Sequence, residues 1–113
     1  FRTIEDLHVS AAVSGYLYRI AVLFNWPRHI KQEIVFLIAG FRTLSFLKPD
    51  DPAVHITLGG ALSRMAQLVD HVEKYWTDVA PDIRRAWMRD KRLLQIAGDV
   101  RNKRLQKAWS YFA

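Results

Sequence analysis

The residues best suited to hold a charged ligand are nine arginines and lysines that follow Pro81 in the last third of the chain. Only three acidic residues accompany them, whereas residues 1–80 contain eight basic and eight acidic residues. The formal net charge of +6 at pH 7 therefore lies entirely in the final segment. Six of the nine are arginines, whose planar guanidinium matches phosphate and carboxylate groups better than an ammonium does. Such a local excess of positive charge predicts an anionic partner.

Helical spacing places much of this charge in one strip. At about 100° per residue, Arg85, Arg89 and Arg92 share one side of a helix. The same track leads on to Lys103 and Lys107, and the opposite side of the segment is apolar. A plain solvated helix face is the alternative interpretation. The predicted nucleic-acid contacts are the strip and its neighbours: Arg84, Arg85, Arg89, Arg92, Arg101, Lys103, Arg104 and Lys107.

Signatures of metal, cofactor or nucleophilic chemistry do not occur in the sequence. No two of the four histidines have the i, i+4 spacing of zinc-binding helices. Gly59-Gly60 lacks the Lys-Ser or Lys-Thr of a phosphate-binding loop. Cysteine is absent, which excludes disulfides and thiolates and fits a reducing compartment such as the cytoplasm or nucleus. We expect no cofactor, no metal and no catalytic residue.

Arg64 and His71, with six residues between them, form the one spacing shared with a catalytic family. This spacing resembles the Arg-to-His motif of the all-helical HEPN ribonucleases, over eight residues of the chain. It departs from the motif because Met65 replaces the usual polar residue after the arginine, and because it lies in the third predicted helix instead of opening the last. The resemblance implies, as an alternative function, a small ribonuclease that uses Arg64 and His71.

Prolines divide the chain into four segments of helical apolar periodicity. The predicted helices cover residues 3–24, 27–46, 52–79 and 81–112. Asp51 is expected to cap the third helix, and Gly59-Gly60 either interrupts it or lets another helix approach closely. The connections are short, which favours antiparallel neighbours in an up-and-down bundle.

The second predicted helix is apolar on nearly every side, so we expect it to be central and the most buried. Its predicted core residues are Ile34, Leu37, Phe41 and Leu44. Most aromatic residues are also assigned to the core. Tyr75-Trp76 and residues 109–112 lie at segment ends and are candidates for exposed apolar contacts with a second subunit.

The whole chain, residues 1–113, is therefore predicted to be a single all-α domain, a compact bundle of about four helices with a basic C-terminal helix. Because the chain begins with Phe1 instead of Met, we expect it to be processed or excised from a longer one. Its longest apolar run is much shorter than the length of about 20 residues that is needed to cross a bilayer. No membrane span is predicted.

The predicted function is a non-enzymatic binding module that contacts the phosphate backbone of nucleic acid, DNA or RNA, through the basic last helix. The alternatives are an acidic protein partner and a self-assembling subunit of the capsid or nucleoprotein type, a homo-oligomer. An anionic membrane surface is a further possibility, although the apolar side of the last helix is needed for the core.

Overall fold

Four α-helices and one short 3-10 helix make up the fold in the computed structural model. It describes the backbone of residues 2–110 and the side chains of residues 4–92, 106, 107, 109 and 110. The elements are α1 (Arg2–Leu23), α2 (Arg28–Leu44), α3 (Pro52–His71), the 3-10 helix (Glu73–Asp78) and α4 (Pro81–Trp109). No strand occurs in this part of the chain, and consecutive helices pack against each other in sequence order. The prediction of an all-α, up-and-down bundle is confirmed.

The end of α1 is closed by Asn25, which adopts a left-handed backbone conformation with φ of 53°. The Trp26 N–H donates to the Ala21 carbonyl at 2.8 Å, and the Asn25 N–H donates to the Val22 carbonyl at 3.4 Å. This pair of hydrogen bonds is the Schellman arrangement, which satisfies helix-terminal carbonyls and favours Gly or Asn at the left-handed position. Its consequence is that Trp26 turns back into the core, where it is buried.

The start of α3 is capped as the sequence predicts. The Asp51 side chain accepts a hydrogen bond from the Ala53 N–H at 2.9 Å, and Pro52 begins the helix. The helix continues through Gly59-Gly60, so the expectation of an interruption there is wrong. A Cβ at Gly60 would meet nothing within 4 Å, which also excludes a close helix approach at that position.

The predicted end of the third helix is wrong as well. The α-helix stops at His71, and the chain then tightens into the 3-10 helix, whereas the sequence predicted a continuous helix to residue 79. The Val72 N–H still donates to the Leu68 carbonyl at 2.9 Å, but the Tyr75 N–H donates to the Val72 carbonyl at 2.8 Å, three residues back instead of four. This tighter winding changes the direction in which the following side chains point.

The predicted core residues of α2 are confirmed, but the expectation that this helix is the central one is wrong, because α3 and not α2 also contacts the 3-10 helix and α4. Its buried side carries the four expected residues: Ile34, Leu37, Phe41 and Leu44. On its other side Val35 is 48% exposed and Phe36 is 54% exposed. The helix packs against α1 and α3, and these two neighbours cover only one side of it. An apolar surface on α2 therefore faces outward.

Five aromatic rings form a continuous cluster that joins α1, the α1–α2 turn, the 3-10 helix and α4. Tyr16 stacks on Trp87 at 6.3 Å between ring centroids, and Trp87 stacks on Trp76 at 5.2 Å. Trp76 also meets Trp26 edge to face at 5.4 Å, and Trp26 lies 6.1 Å from Tyr75. Trp76 is buried, so its predicted exposure at a segment end is wrong. The 3-10 helix folds it inward.

Candidate functional site

An open groove of about 590 Å³ lies between the 3-10 helix and the first turns of α4. We call it the arginine groove, because four arginines contribute to it. Four guanidinium groups against one carboxylate make this groove cationic. The predicted contacts Arg84, Arg85, Arg89 and Arg92 are thus brought together in one place. The complete lining is Glu73, Trp76, Thr77, Arg84, Arg85, Met88, Arg89 and Arg92.

The aromatic cluster determines how α4 packs against the 3-10 helix. Trp76 and Trp87 are both buried, and their ring planes are 6° from parallel. Trp87 therefore points into the core while Arg85 and Arg89, two residues before and after it, are exposed on the groove side. The apolar side of α4 anchors the helix, and the opposite side presents the charges. This agrees with the helical spacing of the sequence.

The indole N–H groups of Trp26, Trp76 and Trp87 are buried and have no hydrogen-bond partner among the described residues. Buried polar groups without a partner normally cost stability. The edge-to-face contact between Trp26 and Trp76 offsets part of this cost, because the positive edge of one ring meets the negative face of the other. The cluster is held by ring contacts and not by polar bonds.

Burial also affects the hydroxyl of Tyr16, the first ring of the cluster. Removal from water raises the pKa of Tyr16 above its ordinary value, and the negative charge of Asp90 raises it further. The positive charge of Arg19 acts in the opposite direction. Tyr16 is therefore uncharged at every pH at which an ordinary tyrosine is uncharged.

Two contacts fix the walls of the arginine groove. Lys91 Nζ donates to Glu73 Oε2 at 3.0 Å, with the lysine side chain only 15% exposed. This ion pair balances the one carboxylate of the groove with a lysine that is not part of the lining. Arg84 Nη1 donates to the Thr77 carbonyl in a long hydrogen bond of 3.5 Å. Both contacts join α4 to the 3-10 helix.

The other three arginines keep most of their capacity for a ligand. Arg89 lies 3.5 Å from the carboxylate of its neighbour Asp90, and its side chain is 74% exposed. Such an exposed pair stabilises little. Neither Arg85 nor Arg92 forms an ion pair with any described side chain, and both are exposed. Their guanidinium groups are available to an anion from solution.

The remaining predicted contacts are not placed at the groove. Lys107 is exposed in the last turn of α4, about four turns beyond Arg92. The side chains of Arg101, Lys103 and Arg104 lie outside the described residues. The geometry of the site therefore rests on the first half of the predicted strip.

Four lining residues were missed by sequence reasoning, for two different reasons. Glu73, Trp76 and Thr77 belong to the 3-10 helix, which only the reversal of the chain between α3 and α4 brings beside the arginines. Met88 carried a usable signal, because it follows Arg85 by three residues and therefore shares its side of the helix. An apolar residue on the charged side of the helix could have been noticed in the sequence.

Arg64 and His71, the residues of the ribonuclease alternative, are both exposed on α3. Arg64 Nη2 donates to Glu33 Oε1 of α2 at 3.0 Å, and its guanidinium carbon lies 4.4 Å from the centroid of the Phe36 ring. His71 faces His29 instead, with 6.5 Å between ring centroids. The two members of the motif thus have different partners on α2.

Metal centres and membrane-spanning helices are absent from the described part of the chain. No group of three or more His, Asp or Glu side chains there is arranged to hold a metal ion. No helix of that part is both long enough and apolar enough to cross a membrane. The chain matches no protein-family model, no curated protein and no solved structure.

Proposed function

We propose that this domain is a non-enzymatic module that binds the phosphate backbone of nucleic acid through the arginine groove and the exposed side of α4. The observation that carries the proposal is the position of Arg85 and Arg92, which line one groove and have no ion-pair partner among the described side chains. Planar guanidinium groups suit bidentate contacts with phosphate oxygens. Contacts of this kind position a nucleic acid without reading its sequence.

The charge distribution supports the same proposal. The whole formal net charge of +6 comes from the residues after Pro81. The carboxylate of Glu73 already accepts a hydrogen bond from Lys91, so it opposes an incoming anion less than a free carboxylate would. An anionic chain approaching the domain is therefore attracted to α4 more than to the neutral remainder.

The test is fluorescence anisotropy of a labelled oligonucleotide across a salt series. Each neutralised phosphate contributes about 0.9 to the logarithmic salt slope on duplex DNA and about 0.7 on a single strand. The double reversal Arg85→Glu with Arg92→Glu should remove about two such contacts and lower the slope by about 1.4 to 1.8. It breaks no described ion pair, so the helical circular-dichroism signal should persist.

The matched control is Arg19→Glu with Arg42→Glu, which changes the net charge by the same amount on exposed positions of α1 and α2. We expect this control to weaken binding much less. If both double variants weaken binding alike, the affinity reflects net charge only and the groove is not the site. If the unmodified protein binds nothing at about 50 mM salt, where phosphate contacts are strong, the proposal fails in favour of an acidic protein partner.

The absence of enzymatic turnover is a separate part of the proposal. Arg64 is engaged by Glu33 and stacked over Phe36, which supports a structural role for it. We expect single-stranded RNA to remain intact during incubation with the protein. Cleavage that disappears in His71→Ala would instead establish the ribonuclease alternative.

A self-assembling subunit is the second candidate function, and exposed apolar side chains favour it. Phe46 is 80% exposed, and Leu23 and Trp109 are exposed as well, in addition to the outward surface of α2. Large exposed apolar areas mark interaction sites on soluble domains. Light scattering over a range of protein concentrations tests this candidate, and a monomer at every concentration would exclude it.

A further inference from the structure

The arginine groove contains apolar as well as cationic surface. Met88 is exposed within the lining, and Trp76, which is mostly buried, also lines the groove. We propose that the groove selects single-stranded nucleic acid and takes one unstacked base against Met88, while the flanking phosphates contact the arginines. This inference rests on the proposed function and specifies its ligand.

The spacing along α4 suits this arrangement. Arg85, Met88 and Arg92 follow each other at intervals of three and four residues, so they lie on one side of the helix. The two arginines are seven positions apart, which corresponds to about 10.5 Å along the axis. The apolar side chain is therefore bracketed by two cations that have no described ion-pair partner. A base at the centre leaves a phosphate on each side within reach of an arginine.

The size of the groove favours a single strand over a duplex. A volume of about 590 Å³ is in the range of sites that bind small ligands, and a base with its sugar is a ligand of that class. A single strand can turn a base out onto a protein surface, whereas a duplex keeps its bases paired and stacked inside. A duplex can therefore contact the arginines of the groove but cannot place a base against Met88. The Glu73–Lys91 pair and the Arg84–Thr77 bond join the two walls of the groove.

The experiment compares three labelled probes of equal length in the same buffer: a DNA single strand, the same strand with abasic sites throughout, and the duplex. The abasic strand keeps the phosphates and removes the bases. Contact between a methionine sulfur and an aromatic ring, here that of the base, raises affinity by about two- to 13-fold. We therefore expect the single strand to bind about fivefold more tightly than the abasic strand. Met88→Ala should remove about this factor for the single strand and leave the abasic strand unchanged.

The matched control is Val35→Ala, which trims an exposed apolar side chain on α2 and should change neither affinity. Equal affinity for the single and abasic strands overturns the base-insertion proposal but leaves phosphate binding intact. The proposal is also overturned if the duplex binds more tightly than the single strand. It is overturned as well if Met88→Ala lowers the affinity for the single strand and for the abasic strand by the same factor. A phosphorylated peptide of equal charge that binds more tightly than the single strand would assign the groove to a protein ligand. Failure of all three nucleic-acid probes at about 50 mM salt would remove both proposals.

Discussion

Trp76 and Trp87 lie with their ring centroids 5.2 Å apart and their planes 6° from parallel, and Trp76 also lines the arginine groove. One ring belongs to the 3-10 helix and the other to α4. Large buried rings contribute strongly to stability, and stacked pairs add to the effect of area burial alone. The contact that stabilises the fold is thus also the contact that aligns the two walls of the groove.

Replacing Trp87 with Ala should lower the free energy of unfolding by about 3 to 5 kcal/mol, because it leaves a cavity among Tyr16, Trp76 and the α4 backbone. Urea denaturation measures this change. Val35→Ala, which removes a half-exposed side chain, should stay within about 0.5 kcal/mol of the unmodified protein. A loss below about 1 kcal/mol for Trp87→Ala would mean that the stack does not stabilise the domain.

Position 25 should accept glycine and reject β-branched residues. Its φ of 53° costs a residue such as valine about 1 to 2 kcal/mol, whereas glycine adopts it freely. We expect Asn25→Val to be destabilised by that amount in thermal unfolding. Asn25→Gly is the matched control and should be neutral or slightly more stable. Equal loss in both variants would contradict a left-handed turn at this position.

Gly60→Ala should stabilise the domain by about 0.5 to 1 kcal/mol, because alanine favours the helix and a Cβ there meets nothing within 4 Å. Gly40→Ala in α2 has the same open surroundings and should give a similar gain. The midpoint of chemical denaturation measures both. A marked loss at Gly60 would indicate that a neighbouring element approaches the glycine after all.

The stability of the domain should fall at alkaline pH through Tyr16. Burial, together with Asp90, raises the pKa of Tyr16 in the folded state above the ordinary value of 10.0. Well below pH 10.0 the tyrosine is protonated in both states and contributes no pH dependence. As the pH rises from there through the raised folded value, the unfolded chain loses its proton first and stability decreases. Tyr16→Phe should abolish this part of the decrease in unfolding experiments, and an unchanged pH profile would contradict the assignment.

The helical segments and the charged strip could be predicted from the sequence, because both depend on local periodicity. Pro52 and Pro81 begin helices as predicted, and Ile34 and Leu37 lie on the buried side of α2. Periodicity does not reveal how many neighbours a helix has, so the exposure of Val35 was missed. Burial depends on contacts between distant segments, which composition does not encode.

The wall of the groove that the 3-10 helix forms could not be predicted from the sequence, for a related reason. Thr77 belongs to a stretch whose local pattern predicts the end of the third helix and gives no sign of a 3-10 turn. The inward position of Trp76 results from contacts with the rings of Trp26 and Trp87, which belong to other segments of the chain. The cationic side of the site could therefore be predicted, but not its shape.

All lining residues of the groove lie between Glu73 and Arg92, within 20 consecutive positions. Bringing its walls together closes only a short loop, and short loops carry a small entropic penalty. Contacts that are local in sequence also favour rapid folding. The arginine groove has a low contact order, so variation in α1 and α2 can proceed with little effect on its shape, provided that the rings of Tyr16 and Trp26 remain to support it.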